Sequence, residues 1–266
     1  MKYKLFVADY DGTLGGFDGI KAETVNAIKE FEKAGGKFVV CTGRMFINIR
    51  AICEQYDIAD IVVSYQGARI NERKSGNTIF ADKIPNALAA EVLTTLKNFP
   101  VKPAVLSGSG LYYTENSAYI EVYRRSKILV PQQVSDLAAK VAANEFDALK
   151  VNVFCEGIDI DILIKELGEM YKNRLIVNSG GPNLVEFVNP AASKGASVRF
   201  LSDYYGIDSG EIIAVGDSTN DIELIGGAWH GVAVGDGRAE LKKIADEITV
   251  PYKDQPVKVL LEKYCL

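Results

Sequence analysis

Histidine and cysteine are scarce and scattered in this sequence. His230 is the only histidine, and the four cysteines include no CxxC pair: they are Cys41, Cys53, Cys155 and Cys265. Zinc centres and Cys–His catalysis require several such side chains at short spacing. The sequence therefore argues against both, and we expect the thiols to be buried and to pack as small hydrophobic groups.

Long apolar runs and an excess of basic residues are also missing. No window approaches the roughly 18 apolar residues that span a membrane, and the run from Leu5 to Ala8 is too short for a signal peptide. The net charge of −5 disfavours a nucleic-acid partner. With 48% hydrophobic and 24% charged residues, the composition is typical of a globular protein. We expect a cytoplasmic protein, monomeric or homodimeric, with a small-molecule partner.

Strand and helix patterns alternate at both ends of the chain. Residues 4–9, 37–42 and 60–64 have the apolar character of buried strands, and helical patterns over 22–34 and 45–56 separate them. The alternation returns later, with strands predicted at 184–188, 211–215, 231–234 and 247–250 and helices at 194–204, 220–227 and 238–245. This rhythm predicts an α/β fold, a Rossmann-like parallel sheet with helices on both faces.

The middle of the chain follows a different pattern. A hairpin is expected over 69–82, and the segment that follows mixes strands with helices, including one predicted at 132–143. The run Ser179-Gly180-Gly181-Pro182 is a strong turn signal. A chain of 266 residues is long enough for two hydrophobic cores. We predict a core domain made of 1–82 and 183–266, interrupted by an inserted α+β domain over 83–182.

Two acidic residues follow the first predicted strand, in the motif Asp9-Tyr10-Asp11-Gly12-Thr13. Side chains two residues apart on an extended segment project to the same side, and ligands bind at the carboxyl ends of parallel strands. Asp9 is the candidate nucleophile that would form an acyl phosphate, and Asp11 is the candidate general acid and base. The alternative interpretation is a polar turn that ends a strand.

Two further loops also follow predicted strands. Thr42, Gly43 and Arg44 offer a hydroxyl and a helix N-terminus that suit an oxyanion. The segment from Gly216 to Asp221 brings more acids, and Asp217 is the candidate Mg²⁺ ligand together with Asp9 and a carbonyl of the first loop. Taken alone, each loop is equally consistent with a helix cap.

Lys194 begins the helix predicted at 194–204. A cation at this position would keep Asp9 ionised and stabilise the charge on a phosphoryl group in transfer. A single lysine is more often a solvated surface residue. Since four polar loops of suitable composition follow separate predicted strands in one order, the functional interpretation is favoured over four coincidences.

These motifs resemble those of the haloacid dehalogenase superfamily, with DYDGTL, Thr42 of CTGR, Lys194 and GDSTND in the places of its four motifs. The length and position of the inserted domain resemble those of the C2-capped, Cof-type phosphatases. The resemblance covers essentially the whole chain and implies a Mg²⁺-dependent phosphatase acting on small phosphorylated metabolites such as sugar phosphates.

The resemblance also implies roles for single residues. Asp9 would attack phosphorus and ligate Mg²⁺, Asp11 would ligate it through its backbone carbonyl, and Asp217 would complete the protein ligands. The residues expected at the phosphate are Thr42, Gly43, Arg44, Lys194 and Asn220, with Arg44 also a leaving-group contact and Asn220 against the phosphate or Lys194. Asp221 would support the metal or its waters.

The chain departs from the family pattern at Gln66, where Asn is common, so the local phosphate or substrate contact is open. Tyrosines and arginines of the inserted domain are candidate substrate contacts: Tyr112, Tyr113, Tyr119, Tyr123, Arg124 and Arg125. Two alternatives to a phosphatase stay open, a phosphotransferase or phosphomutase and a non-catalytic phosphate-binding regulator. A dinucleotide oxidoreductase is disfavoured because no GxGxxG motif follows a strand.

Overall fold

The computed structural model describes residues 1–16 and 18–266, which divide into two compact units. Met1–Phe80 and Ser193–Leu266 form the first unit, and Ala81–Ala192 form the second. The predicted α/β class is confirmed. No helix among the described residues is long and apolar enough to cross a membrane.

The strands are numbered in chain order. They are β1 (Leu5–Ala8), β2 (Lys37–Cys41), β3 (Ile61–Ser64), β4 (Arg69–Glu72), β5 (Thr78–Ala81), β6 (Lys102–Leu106), β7 (Leu111–Tyr113), β8 (Gln132–Gln133), β9 (Lys150–Phe154), β10 (Ile176–Gly181), β11 (Leu184–Val188), β12 (Ile212–Gly216), β13 (His230–Ala233) and β14 (Glu247–Ile248).

The helices are numbered in the same way. They are α1 (Ala22–Lys33), α2 (Phe46–Tyr56), α3 (Asn86–Leu96), α4 (Ala118–Ser126), α5 (Leu137–Ala142), α6 (Ile160–Met170), α7 (Lys194–Tyr205), α8 (Ile222–Ile225), α9 (Ala239–Ile244) and α10 (Pro256–Tyr264). One of the short 3₁₀ helices, Thr219–Asp221, leads directly into α8.

The sheet of the first unit runs in the order β14-β13-β12-β1-β2-β3-β4-β5 among the described residues. Strand β1 lies in the middle and pairs in parallel with both β2 and β12. The hairpin strand β4 pairs with β3 in antiparallel fashion. All four residues of β1 are buried, as expected for a parallel sheet that is covered on both faces.

Each face of this sheet packs against its own apolar layer. Val7 and Val39 belong to a cluster that includes Val198 and Leu201 of α7. On the opposite face, Phe6 lies 6.3 Å from the Phe31 ring of α1, measured between ring centroids. The apolar faces of α1 and α7 thus pack against the two faces of the sheet. This packing fixes the positions of the strand ends, where the polar loops begin.

The sheet of the second unit runs in the order β10-β11-β9-β6-β7-β8 among the described residues. Its central strands β11, β9 and β6 pair in antiparallel fashion. One face carries the apolar core of the unit, formed with α3, α5 and α6. The side chains that alternate with this core along the strands lie on the other face.

Strand β11 differs from the expected arrangement. We predicted residues 184–188 as the first strand of the returning core, but Leu184–Val188 pairs with β9 and β10 in the second unit. The expected boundary near 183 thus falls within one hairpin, and the compact unit extends to Ala192. A buried apolar run identifies a strand, but its pattern does not tell which sheet the strand joins.

Two predicted helices are shorter than expected. The helix predicted at 132–143 begins only at Leu137, because the Asp136 side chain accepts a hydrogen bond from Ala139 N and caps the first turn. The helix predicted at 220–227 is a 3₁₀ turn followed by the single turn of α8, which ends at Ile225 with Gly226 as its C-cap. The four cysteines are free and buried, as predicted.

Candidate active site

Three of the polar loops begin at neighbouring strand ends. Asp9 follows β1, Thr42 follows β2 and Asp217 follows β12, and these three strands are adjacent in the sheet. Asp9 and Thr42 are almost completely buried. The parallel arrangement therefore brings side chains that are far apart in sequence to one edge of the sheet, the position where α/β proteins bind ligands.

Lys194 reaches this edge from the first turn of α7. The Ser193 hydroxyl caps the helix by accepting a hydrogen bond from Ala196 N at 3.1 Å, and Lys194 is the first helical residue. Its Nζ donates to Asp9 Oδ1 at 2.5 Å and to Asp221 Oδ1 at 2.6 Å. Although β11 belongs to the other sheet, the lysine still lies at the strand ends, because the start of α7 is what positions it.

Asp221 organises the loop after β12. Its Oδ2 accepts hydrogen bonds from Asp217 N at 3.1 Å and from Ser218 N at 3.0 Å, while the Ser218 side chain caps the same turn in return. The helix-cap interpretation of this segment is therefore correct as a description of its geometry. It does not compete with a functional interpretation, because the cap residue Asp221 is also bonded to Lys194.

The first loop lies against Asp217. The Thr13 hydroxyl donates to Asp217 Oδ1 at 3.0 Å. Gly12 has a φ of +78°, and a Cβ atom at this position would lie 2.8 Å from Asp217 Oδ2. Both the left-handed backbone and the close approach require glycine, which explains why the acidic motif continues with Gly and Thr.

The carboxylates of Asp9, Asp217 and Asp221 form a compact cluster, with one oxygen of each lying within 4.8 Å of the others. Burial raises the pKa of Asp9, and the Asp221 and Asp217 carboxylates raise it further against the opposing effect of Lys194. Burial likewise raises the pKa of Asp217 to about 6. Burial alone would lower the pKa of Lys194, but the two carboxylates outweigh it and keep the ammonium charged.

This cluster contains more negative charge than one lysine neutralises. Buried carboxylates that repel one another are stabilised by a cation, and hard carboxylate oxygens are the donors that Mg²⁺ prefers. The Oδ1 atom of Asn220, on the neighbouring 3₁₀ turn, is buried without a hydrogen-bond partner among the described residues. The residues present therefore fit a divalent metal ion with its bound waters.

Asp11 lies apart from the three clustered carboxylates. Arg44 holds its carboxylate in a bidentate ion pair, with Nε donating to Oδ2 at 2.8 Å and Nη2 donating to Oδ1 at 2.6 Å. The guanidinium also lies over the Tyr10 ring, 4.6 Å from its centroid. Sequence reasoning assigned Arg44 to the leaving group and did not predict this pair, which fixes the orientation of the Asp11 side chain.

Gln66 connects the remaining loops. Its Oε1 accepts a hydrogen bond from Asn220 Nδ2 at 3.3 Å, and a Cβ atom on Gly43 would come within 2.6 Å of its Nε2. The Thr42 hydroxyl accepts a hydrogen bond from Arg44 N at 3.2 Å. The larger amide at position 66 thus reaches Asn220 across the site, and Gly43 leaves room for it.

Comparison with known proteins agrees with this geometry. A family model described as haloacid dehalogenase-like hydrolase matches residues 6–261. Phosphatase YwpJ of Bacillus subtilis is 28% identical, covering 93% of this chain and 94% of the relative. The 5-amino-6-(5-phospho-D-ribitylamino)uracil phosphatase YwtE of the same organism is 24% identical, covering 92% of each chain. A solved structure of a haloacid dehalogenase-like hydrolase from B. subtilis has a TM-score of 0.87 at 24% identity, covering 97% of this chain and 99% of that one, and shows the same fold.

The chain belongs to the haloacid dehalogenase-like hydrolases, and the resemblance to the Cof-type group is confirmed. Within this family it is an enzyme of the phosphatase class, a hydrolase of phosphoric monoesters.

Proposed function

We propose that this protein is a Mg²⁺-dependent phosphatase that hydrolyses phosphate monoesters of small metabolites through an aspartyl-phosphate intermediate on Asp9. The observation that carries the proposal is the contact of the buried Asp9 carboxylate with Lys194 inside a cluster of three carboxylates. The Lys194 ammonium opposes the burial that raises the pKa of Asp9, and the ionised carboxylate that it favours is suited to act as a nucleophile.

In the first step, an Asp9 oxygen attacks phosphorus and the bond between phosphorus and the ester oxygen breaks. Asp11 donates a proton to the departing oxygen, so that the substrate leaves as an alcohol. In the second step, Asp11 removes a proton from a water molecule, whose oxygen attacks phosphorus. The bond between Asp9 and phosphorus then breaks, and inorganic phosphate and free Asp9 are formed.

The neighbouring groups act on the charge of the transferring phosphoryl group. Lys194 and the Thr42 hydroxyl would contact its oxygens, together with the backbone of Gly43 and the side chain of Asn220. Donors that are fixed before the reaction stabilise developing charge without reorganisation. When Asp11 carries the proton, Arg44 would orient it through a hydrogen bond to the other carboxyl oxygen alone, and Arg44 would lie next to the leaving group.

Asp9, Asp217 and the backbone carbonyl of Asp11 would hold the metal ion, and Asp221 would support it through hydrogen bonds to its waters. When bound, Mg²⁺ supplies positive charge that screens the phosphoryl oxygens from the attacking carboxylate. The excess negative charge of the cluster and the Asn220 Oδ1 atom, which has no hydrogen-bond partner among the described residues, support this assignment.

A small phosphorylated metabolite, a sugar phosphate or similar, is the proposed substrate. The name of the relative YwtE describes a phosphatase for a compound with a phosphorylated ribityl chain, which provides a precedent for small polar substrates in this family. The second unit, Ala81–Ala192, would act as the inserted domain that selects the substrate.

The test is phosphate release by the purified protein from p-nitrophenyl phosphate and a broad panel of metabolite phosphates, with Mg²⁺ and with EDTA. We expect release with Mg²⁺ and less than about 1% of that rate with EDTA. Release without an added acceptor excludes an obligate phosphotransferase and a non-catalytic regulator. Failure to release phosphate from any ester in the panel would overturn the proposal.

A further inference from the structure

Three consecutive residues of the turn after β3 have left-handed backbones. Tyr65, Gln66 and Gly67 have φ values of +54°, +62° and +101°, and all three are buried. Residues other than glycine seldom adopt this conformation. It persists only where the surrounding structure fixes it, and such residues cluster at functional sites. The conformation of this turn therefore indicates a role beyond the connection of β3 to β4.

The turn is fixed between the loop after β2 and the start of α7. Gln66 N donates a hydrogen bond to Thr42 O at 3.1 Å. Ser197 Oγ of α7 donates to Gly67 O at 3.3 Å, and a Cβ atom on Gly67 would lie only 2.3 Å from Ser193 O. These contacts on both sides hold the backbone at position 66, so the Gln66 side chain extends from a fixed point.

The Gln66 side chain lies between the loop after β2 and Asn220. Its Oε1 accepts a hydrogen bond from Asn220 Nδ2 at 3.3 Å. A Cβ atom on Gly43 would lie 3.4 Å from the same Oε1 and 2.6 Å from Nε2, so the Gln66 amide packs against Gly43. The Nδ2 end of Asn220 is therefore directed toward the loop that is proposed to hold the phosphoryl group.

The other end of the Asn220 amide has no partner. Asn220 Oδ1 is buried without a hydrogen-bond partner among residues 1–16 and 18–266, whereas most buried polar atoms are bonded. The next residue, Asp221, accepts a hydrogen bond from Asp217 N within the acidic cluster. Because Oδ1 can only accept a hydrogen bond, the group that completes it must be a donor. A water molecule bound to Mg²⁺ is a donor, and a phosphate oxygen is not.

The direction of the Asn220 amide decides what its two ends can bind. The two ends are similar in size, so their hydrogen-bond partners determine which end lies where. In the observed direction, Nδ2 keeps a second N–H for an acceptor such as a phosphoryl oxygen, and Oδ1 stays available to a donor. The reverse direction would turn the carbonyl toward the phosphoryl oxygens. Only the observed direction suits both a phosphoryl group and a hydrated metal ion.

From these contacts we infer that Gln66 is a positioning residue that acts through Asn220 by fixing the direction of its amide. The Nδ2 end then serves the phosphoryl group, and Oδ1 accepts a hydrogen bond from a water molecule of the metal ion. The inference rests on the proposed phosphatase function and adds to it a residue outside the four polar loops.

The test is a double-mutant cycle of Gln66→Met and Asn220→Ala, measured as Mg²⁺ affinity by calorimetric titration of the full-length protein. Methionine keeps the approximate size of glutamine and removes the acceptor. We expect Gln66→Met to lower the Mg²⁺ affinity at least about fivefold, since the loss of one hydrogen bond corresponds to a factor of this order. In the Asn220→Ala background the same substitution should change the affinity less than about twofold, because the amide on which it acts is missing.

Gln55→Met is the matched control. Gln55 is an exposed residue of α2 in the same unit, and its substitution should leave the Mg²⁺ affinity at the wild-type value. Circular dichroism checks the fold of each variant. If Gln66→Met does not fold, Gln66→Asn takes its place in the cycle, because asparagine tolerates a left-handed backbone and its amide is one methylene too short to reach Asn220.

Wild-type Mg²⁺ affinity in the folded Gln66 variant, or the same loss with and without the Asn220 amide, would overturn the inference and leave the phosphatase proposal standing. Absence of both Mg²⁺ binding and phosphate release in the wild type would instead overturn the phosphatase proposal itself.

Discussion

Gly12 lies so close to Asp217 that any side chain at position 12 would displace the Asp217 carboxylate. We predict that Gly12→Ala lowers kcat for phosphate release at least about tenfold, because a Cβ atom 2.8 Å from Asp217 Oδ2 displaces that carboxylate. Steady-state kinetics with Mg²⁺ and p-nitrophenyl phosphate provide the measurement.

Gly35→Ala is the matched control. Gly35 also has a positive φ, +93°, but a Cβ atom added there would have no described atom within 4 Å. Both substitutions cost about 1–2 kcal/mol of backbone strain, so both proteins lose stability while only Gly12→Ala loses activity. Equal loss of kcat in the two variants would show that the contact with Asp217 is unimportant.

Asp217 is expected to link metal binding to pH. Its pKa is raised to about 6, chiefly by burial, so in the metal-free protein this carboxyl stabilises the fold at acidic pH and the contribution is lost as the pH rises through about 6. Mg²⁺ needs the deprotonated form. We predict that Mg²⁺ raises the Tm strongly when the pH is above about 6. At a pH below about 6, the same Mg²⁺ concentration should raise the Tm much less.

In Asp217→Asn the affinity for Mg²⁺ should fall by at least about tenfold. Mutation of a residue that only hydrogen-bonds to a metal ligand already lowers metal affinity by about this factor, and Asp217 is proposed to be a ligand itself. Calorimetric titration of the wild type and the variant measures the affinity, and differential scanning fluorimetry measures the Tm. Tight Mg²⁺ binding by the variant would remove Asp217 from the proposed ligands.

At the residue scale, the sequence predicted which side chains gather at the site. It did not predict which of them form hydrogen bonds and ion pairs with one another. Asp9, Asp217 and Lys194 were expected at one edge of the sheet, and they lie there. The Arg44–Asp11 pair was not predicted, because it depends on side-chain torsions of two separate loops. The Ser218–Asp221 cap was visible as a Ser-x-x-Asp pattern, although the pattern does not show that Asp221 also bonds Lys194.

At the scale of structural elements, strands β9 and β11 are joined by the buried ion pair between Lys150 and Glu186. We predict how much stability is lost when this pair is broken. Lys150→Met removes the ammonium group that pairs with the buried Glu186 carboxylate, and the free energy of unfolding should fall by about 3–5 kcal/mol. The double substitution Lys150→Met with Glu186→Leu should recover most of this loss, because both buried charges of the pair are then removed. Urea unfolding followed by circular dichroism measures both.

Lys140→Met serves as the control, since Lys140 and Glu145 form a solvent-exposed pair in the same unit. Its loss should cost less than about 1 kcal/mol. If Lys150→Met proved as mild as Lys140→Met, the buried pair would contribute no more to stability than a surface pair.

The elements of the core were predictable because their signals are local. Strands β1, β2 and β3 are short apolar runs, and the helices between them show the spacing of one buried face. The length of α8 and the start of α5 depend on caps and turns, which shift boundaries by several residues. The sheet that β11 joins depends on its antiparallel partners, which are distant in sequence.

At the scale of the whole molecule, the change of rhythm in the sequence indicated an inserted α+β segment, and the structure contains a compact unit over Ala81–Ala192. The second boundary lies after residue 183 because the hairpin of β10 and β11 carries the chain back through the same sheet.

The central claim is that Asp9 carries the phosphoryl group, and the most direct measurement is phosphate release by Asp9→Asn and wild-type protein with Mg²⁺. Asp203→Asn, an exposed aspartate of α7, is the control. We predict that Asp9→Asn keeps the circular dichroism spectrum of the wild type and loses at least about a thousandfold in kcat, while the control keeps its activity. Turnover by Asp9→Asn within tenfold of the wild type would contradict the account.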